Sequence, residues 1–281
     1  TMLINGIGQP FTPDAYGYIV RMFNGDNISY ALGDASTAYC GISNIRLWKR
    51  SFEKYHLTQT PENGFGETPL KKYRRHIFLL HPNKVVIYDE LEANEKVRWD
   101  WLLHSPVKFD INPTASILTT VNKEKGFSSV VQLFCEQEAA ITQTDKYAAP
   151  PNHADAQRGE DFTDPWSLTA SFGPSRNNRI LTIIQVEADG RQAVQIMREG
   201  NTFRCGEWVI EAELNAKRPG RLYIRNSRNN AVFSYGDKKP EINGELYSCK
   251  EKDASVLFDC VNGEWTVQEM GDQRVQTMGK W

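Results

Sequence analysis

Tyr73-Arg74-Arg75-His76 is the stretch of this chain with the densest set of side chains that could bind an anion or exchange a proton. Two neighbouring arginines can bind a sulfate or a carboxylate through parallel N–H donors, so we predict that Arg74 and Arg75 contact an anionic substrate. The stretch opens a strand-like pattern, in which alternate side chains point to opposite faces. Arg74 and His76 should therefore lie on one face, and Tyr73 and Arg75 on the other. The alternative, favoured for arginines near a strand end, is simple exposure to water.

The second candidate group lies in the segment 144–166, which has no strand pattern and is rich in Pro, Asp and Asn. A loop of this length in a compact domain is usually functional or disordered. It contains His153 and Asp155, residue types that can ligate a metal or exchange protons. No third ligand can be named, so a solvated loop is favoured and no metal site is predicted. His153 and Trp166 are predicted substrate contacts, because an aromatic face can stack on a sugar ring.

Asp89, Glu90 and Glu92 form a third candidate group, because paired carboxylates can serve as acid and base. The pattern around them predicts a β-turn, where acidic residues are routine. A structural role is therefore the favoured interpretation.

Composition and motifs exclude several classes of function. The net charge is −2 and the basic residues are scattered, which argues against nucleic acid as a partner. A polyanionic sugar remains compatible, since a local cleft can be basic on a neutral protein. No apolar run approaches the roughly 18 residues of a membrane span. The five cysteines show no zinc-site spacing, and no phosphate loop, serine elbow or zinc-protease helix is present, so no cofactor is predicted.

The elements that must position these residues follow a period of two along most of the chain. YRRHIFLL, the turn HPNK and VVIYDE predict a hairpin, and VRWDWLLH predicts a strand with its tryptophans on one face. ELEANEK reads as a polar connector, and Asn177-Asn178 as a turn. Segment 42–57 fits either a short helix or a strand. We predict an all-β fold, a large antiparallel β-sandwich of two or more stacked sheets with few or no helices.

Three stretches together resemble the C-terminal β-sheet region of heparinase II/III-like polysaccharide lyases. They are TMLINGIGQ, GDASTAY, and YRRHIFLLHPNKVVIYDELEANEKVRWDWLLHSP, and their order and spacing also fit within residues 1–106. In that family a His-Asn pair usually precedes the first stretch, giving a pattern like HNTLLINGxGQ. Thr1 would directly follow this pair, so the resemblance implies that Thr1 is a cut edge. Residues 1–281 would then be the β-sandwich region of a larger lyase that lacks its N-terminal helical toroid, with 144–166 as a loop excursion.

The resemblance implies a function for the intact protein, which is β-elimination at a uronic acid of a glycosaminoglycan or of alginate. In such lyases the toroid carries most catalytic residues, and the β-region supplies a zinc site of two His and an Asp. No counterpart of those positions lies from Thr1 onward, so the chain would hold the scaffold and be inactive alone. The implied location is the periplasm or the outside of a bacterial cell.

Two alternatives remain open at this point. One is an independent, non-catalytic carbohydrate-binding or structural sandwich, and the other is an enzyme whose site is formed by the loop with His153 and Asp155. The expected partners are an anionic polysaccharide and the missing helical domain. We also expect an exposed apolar patch near Met2–Ile4, through which the chain would self-associate.

Overall fold

The computed structural model describes residues 1–43, 49–112, 114–147, 165–188, 190–228, 230–236, 239–242, 245–250 and 254–272. Nearly all elements in these ranges are strands. One short α-helix, Lys49–Lys54, and one 3₁₀ turn, Pro61–Asn63, lie between the third and fourth strands. The prediction of an all-β fold with few helices is therefore confirmed, and segment 42–57 contains the short helix. No helix in the described ranges is long and apolar enough to span a membrane.

The first ten strands form one sheet, here called sheet A. They are β1 (Met2–Ile4), β2 (Tyr18–Asn24), β3 (Ile28–Asp34), β4 (Leu70–Leu80), β5 (Lys84–Ser105), β6 (Asp110–Asn112), β7 (Ile117–Asn122), β8 (Phe127–Phe134), β9 (Ala140–Thr144) and β10 (Trp166–Ala188). Their order is β2-β3-β4-β5-β10-β8-β7-β6, while β1 adds to β5 and β9 adds to β10. Every pairing between these strands is antiparallel.

Seven of the remaining strands form sheet B. They are β11 (Ile196–Glu199), β12 (Thr202–Cys205), β13 (Trp208–Ala212), β14 (Leu222–Asn226), β15 (Ala231–Tyr235), β18 (Ser255–Val261) and β19 (Glu264–Met270), paired in that order. The two-residue strands β16 (Glu241–Ile242) and β17 (Glu245–Leu246) form a separate ribbon. Because the strands of sheet B are connected mostly as hairpins, this part of the fold is a meander.

The main core lies between the two sheets. Aromatic and aliphatic side chains of β2 to β5 pack against β12 to β15 and β18, and they include Tyr30, Phe78, Trp208 and Phe233. The rings of Tyr30 and Phe233 are 4.5 Å apart, which is contact distance for a tilted aromatic pair. This packing makes the chain a sandwich, as predicted.

A second core lies on the opposite face of sheet A, where the sheet bends over itself. The long strands β5 and β10 pair with each other in antiparallel fashion on both sides of the bend. Register shifts between Phe172 and Asn177 mark the bend, since a bulge curves the strand that contains it. Trp99, Trp101 and Leu168 line the inner side of this bend. The sheet thereby covers its own second face.

The bend corrects two sequence predictions. ELEANEK is no connector and Asn177-Asn178 is no turn, because both lie inside the continuous strands β5 and β10. These strands have 22 and 23 residues, against about 5–6 for an average strand. Asn177 and Asn178 are residue types typical of a turn, but they pair with Glu92 and Leu91 and so remain in the ladder. The predicted hairpin over HPNK and the tryptophan face of VRWDWLLH are confirmed.

The N-terminal strand is buried rather than exposed. Met2 and Ile4 have no exposed surface, and β1 pairs with β5 from Trp101 to Trp99. The Asn5-Gly6 turn closes the expected tight hairpin, with positive φ at both residues and reciprocal Ile4–Ile7 backbone hydrogen bonds. Met2 and Ile4 therefore belong to no exposed patch, because these side chains fill the second core, and an exposed patch near them stays a prediction.

The two core tryptophans of β5 differ in one hydrogen bond, so replacing one or the other should destabilise the fold by different amounts. Trp99 Nε1 donates to the Ser175 backbone oxygen at 3.2 Å, whereas Trp101 Nε1 has no partner among the described residues. Both side chains are fully buried, so Trp→Phe removes similar volume at either position. We expect Trp99→Phe to lose about 1 kcal/mol more stability than Trp101→Phe. Urea unfolding measures both, and equal losses would contradict the assignment.

Candidate functional site

The three stretches that carry the family resemblance meet at one place in the fold. Tyr39, at the end of GDASTAY, donates from its hydroxyl to the Met2 backbone oxygen at 2.6 Å. Ser36 Oγ, in the same stretch, accepts from the Tyr73 backbone N–H at 3.0 Å. The rings of Tyr39 and Tyr73 are 6.0 Å apart. We call the group Tyr39, Tyr73, Arg75 and Asp89 the Arg75 cluster.

Arg75 and Asp89 form the charged part of the Arg75 cluster. Arg75 Nε and Nη2 donate to the two Asp89 carboxylate oxygens at 2.6 and 2.9 Å, the bidentate geometry of a strong ion pair. The carboxylate has no exposed surface, whereas 19% of the arginine side chain is exposed. The guanidinium also lies 5.5 Å from the centre of the Tyr73 ring. Part of the Arg75 side chain therefore remains in contact with solvent.

The protonation states in the Arg75 cluster are fixed by burial and charge. Burial disfavours the charged guanidinium, but the contact with Asp89 outweighs it and raises the pKa of Arg75 above its usual value. Burial raises the pKa of Tyr39 and of Tyr73, so both hydroxyls keep their protons. The cluster can donate hydrogen bonds and present a positive edge. Asp89 is held by two guanidinium N–H groups, which leaves it poorly placed to act as a base.

Arg74 points to the opposite face, as alternation predicted. Its Nε donates to Asp34 and its Nη2 donates to Asp272, each at 2.9 Å. His76 lies on this same face, between the two sheets, and has no exposed surface. The predicted separation of Arg74 and His76 from Tyr73 and Arg75 is therefore confirmed. Arg74 and Arg75 cannot bind the same anion.

A polar network surrounds His76 in the main core. The imidazole Nε2 lies 3.2 Å from Glu90 Oε1, and Nδ1 lies 3.0 Å from the Tyr30 hydroxyl. Burial lowers the pKa of His76, although Glu90 acts in the other direction. A neutral imidazole fits this geometry, with Nε2–H donating to Glu90 and Nδ1 accepting from Tyr30.

Glu90 is the centre of that network and connects the sheets. Its Oε1 also accepts from the Tyr235 hydroxyl of sheet B at 2.8 Å, and its Oε2 accepts from Lys72 at 3.0 Å. Arg179 lies 3.5 Å from Oε2. Burial alone would raise the pKa of Glu90, but the hydrogen bond from His76 and the charges of Lys72 and Arg179 hold it well below its usual value.

The packing around Glu90 leaves no room for a larger neighbour. A Cβ placed on Gly220 would lie 2.4 Å from Glu90 Oε2, so glycine is required where the sheet B connection passes the carboxylate. Beside it is a cavity of about 140 Å³, and its lining includes Lys72, Glu92 and Arg179. Since both Glu90 oxygens already have partners, the network is suited to joining the sheets.

The prediction of a β-turn beside Asp89 and Glu90 is wrong. They lie in the middle of β5 and are buried, so they do not flank a turn. The two carboxylates point to opposite faces, toward Arg75 and His76 respectively. Alternation within VVIYDE already places Glu90 on the same face as Val86 and Tyr88, and that was the available signal.

Trp166 lies at the start of β10, at the rim of sheet A. The ammonium of the exposed Lys108 lies 5.1 Å from the centre of its half-buried ring, which is cation–π distance. His153 and Asp155 fall outside the described residues. Within the described part of the chain, no group of three His, Cys, Asp or Glu residues could hold a metal ion.

Comparison with known proteins identifies a shared fold. No protein-family model and no curated protein matches the chain. Among solved structures it is similar to a heparinase III, the BT4657 gene product with methylated lysines, with a TM-score of 0.51 and 11% identity over 92% of this chain. It also matches heparan sulfate lyase HepC from Pedobacter heparinus, with a TM-score of 0.48 and 8% identity over 88% of this chain.

The matched proteins are much longer than this chain, which covers 29% of each. The likeness to the first of them establishes that the chain has the fold of part of a heparinase III. The resemblance drawn from the three sequence stretches is thereby confirmed for the fold.

The buried His76 should make folding stability sensitive to pH below neutrality. In the unfolded chain a histidine binds a proton near pH 6.5, whereas in the folded chain burial lowers the pKa of His76. As the pH falls below about 6.5, the unfolded state therefore gains protons first and stability decreases. We expect wild type to lose about 1 kcal/mol more stability between pH 7.5 and pH 5.5 than His76→Gln loses.

The matched control is His56→Asn, because His56 is exposed and lies outside the network. Urea midpoints at the two pH values give the measurement. A wild-type slope in His76→Gln, with a flattened slope in His56→Asn, would contradict the role given to His76.

Proposed function

We propose that this chain is the β-sandwich region of a polysaccharide lyase that cleaves uronic-acid-containing polysaccharide by β-elimination. The observation that carries the proposal is the meeting of the three family-like stretches around Arg75, in a chain with the fold of part of a heparinase III. Residues far apart in sequence, such as Met2, Tyr39 and Tyr73, are joined there by direct contacts. A set of unrelated matches would have no reason to converge on one side of one sheet.

In β-elimination, the substrate carboxylate is neutralised, a base removes the C5 proton, and an acid protonates the leaving oxygen at C4. The Arg75 cluster can contribute to the first of these requirements, because Arg75 is a cation whose side chain is partly exposed. Its buried tyrosines position that guanidinium, with Tyr73 beneath it. We assign the base and the acid to the helical region that the resemblance implies, since Asp89 is held in an ion pair.

The zinc site that the resemblance implies does not fit the described residues, because none of their His, Cys, Asp and Glu side chains cluster in a group of three. We therefore derive no step through a metal. We propose a secreted or periplasmic location, in keeping with a polysaccharide substrate.

Trp166 and Lys108 are the proposed polysaccharide contact at the rim of sheet A. A ring beside an ammonium group offers an apolar face to a pyranose and a charge to its carboxylate or sulfate. This same pair also supports the second candidate function, a non-catalytic carbohydrate-binding module, because it needs no catalytic group. The two functions differ in what the complete gene product does to the polysaccharide.

The 281-residue chain alone should not turn over heparan sulfate or alginate. Elimination creates an unsaturated uronate that absorbs ultraviolet light, so a rise in absorbance reports the reaction directly. We expect no rise with this chain alone and a rise with a longer product that also contains the proposed helical region. Turnover by the 281-residue chain would place the catalytic groups within it. Lack of turnover by the longer product would favour the binding module.

Trp166→Ala should weaken binding of heparan sulfate or alginate oligosaccharides about tenfold, because the ring that stacks on the sugar is removed. The matched control is Trp265→Ala, since Trp265 is also half-buried but lies in β19 of sheet B. Calorimetric titration of both variants measures the change. Equal affinities of the two variants would remove Trp166 from the proposed contact.

A further inference from the structure

Two guanidinium groups from different strands converge on one carboxylate at the margin of the main core. Arg21 of β2 donates through Nη2 to Asp272 Oδ1, and Arg74 of β4 donates through Nη2 to Asp272 Oδ2 at 2.9 Å. Asp272 lies two residues beyond the end of β19. The acceptor is therefore outside the strands, whereas both donors are fixed within a sheet.

Arg21 is held as firmly as a core residue. Its side chain is 2% exposed, its Nη1 donates to Ser255 Oγ at 2.8 Å, and its guanidinium lies 5.6 Å from the centre of the Tyr235 ring. Its Nε is buried with no hydrogen-bond partner among the described residues. A buried guanidinium with a donor left over has more capacity for an anion than Asp272 uses.

The charges at this place balance only when an anion is present. Arg74 has a second carboxylate partner in Asp34, but Asp272 is the one carboxylate that pairs with Arg21 within the described residues. Removing it would leave a buried cation without compensation, which is costly. Asp272 itself is 44% exposed. It occupies the solvent side of the arginine pair, as a bound ligand would.

We propose that Arg21 and Arg74 form a binding site for an oxyanion, namely a carboxylate or sulfate group, and that Asp272 is its internal occupant, which an external anion can replace. The geometry supports this, because two N–H donors from two guanidinium groups meet two oxygens of one planar acceptor. The site lies on the main-core face of β4, opposite Arg75, so it is separate from the Arg75 cluster. It does not depend on the proposed function, since a free anion is sufficient to occupy it.

The test uses Asp272→Ala, which vacates the site, and inorganic sulfate as the probe. The matched control is Glu207→Ala, which removes the carboxylate partner of Arg228, an arginine that is 75% exposed. Because sulfate stabilises proteins generally at high concentration, we compare the variants at about 10 mM sulfate against chloride of equal ionic strength. We expect the melting temperature of Asp272→Ala to rise about 3 °C, with no comparable rise in Glu207→Ala or in Asp272→Ala/Arg74→Gln.

Equal shifts in Asp272→Ala and the two comparison variants would overturn the proposal. If Asp272→Ala does not fold, the wild type is compared with Arg74→Gln, and a sulfate shift that is no larger in the wild type overturns it as well. Glucuronate and a sulfated disaccharide are further probes. If either sugar raises the melting temperature at a lower concentration than sulfate does, the site is assigned to a saccharide. If sulfate acts at the same concentration as the sugars, the site is assigned to a free ion.

Discussion

A row of alternating charges crosses sheet A at one level, and its central carboxylate is hydrogen-bonded to sheet B. The row runs Asp34, Arg74, Glu90, Arg179 along directly paired positions of β3, β4, β5 and β10. Glu90 is its centre, because it also accepts from His76 and from Tyr235 of sheet B. A carboxylate with this little exposure is tolerated only when its oxygens are fully hydrogen-bonded. Sheet B must therefore pack where Tyr235 reaches Glu90.

The same sheet places different chemistry on its two faces. Side chains of β4 alternate, so Arg74 and His76 belong to the main core, whereas Tyr73 and Arg75 belong to the face that the bend of β5 and β10 partly covers. The polar groups with solvent access lie where a core ends: Arg75 at the edge of the second core, and Arg74 with Asp272 at the edge of the main core. A scaffold of this kind can present charged groups rigidly, because each is anchored by a buried partner.

Much of the fold was predictable, because strand alternation is a local property of the sequence. The hairpin over HPNK, the Asn5-Gly6 turn and the tryptophan face of β5 all follow from residue type and spacing. The positions of Glu90 and Asp272 in their clusters were not predictable. Their partners lie 145 and 251 residues away along the chain, and local patterns carry no information about such pairs.

The sequence by itself determined the fold class, the opposite orientation of Arg74 and Arg75, and the likeness to the β-region of heparinases, since each rests on local pattern or motif. Only the tertiary structure decided that β5 and β10 bend without breaking, that Met2 is buried, and that Arg74 binds the chain's own Asp272. The physical reason is that burial and charge pairing depend on which surfaces meet. The two sheets pack so that the charged side chains in the interior are paired. This packing depends on residues from the whole length of the chain.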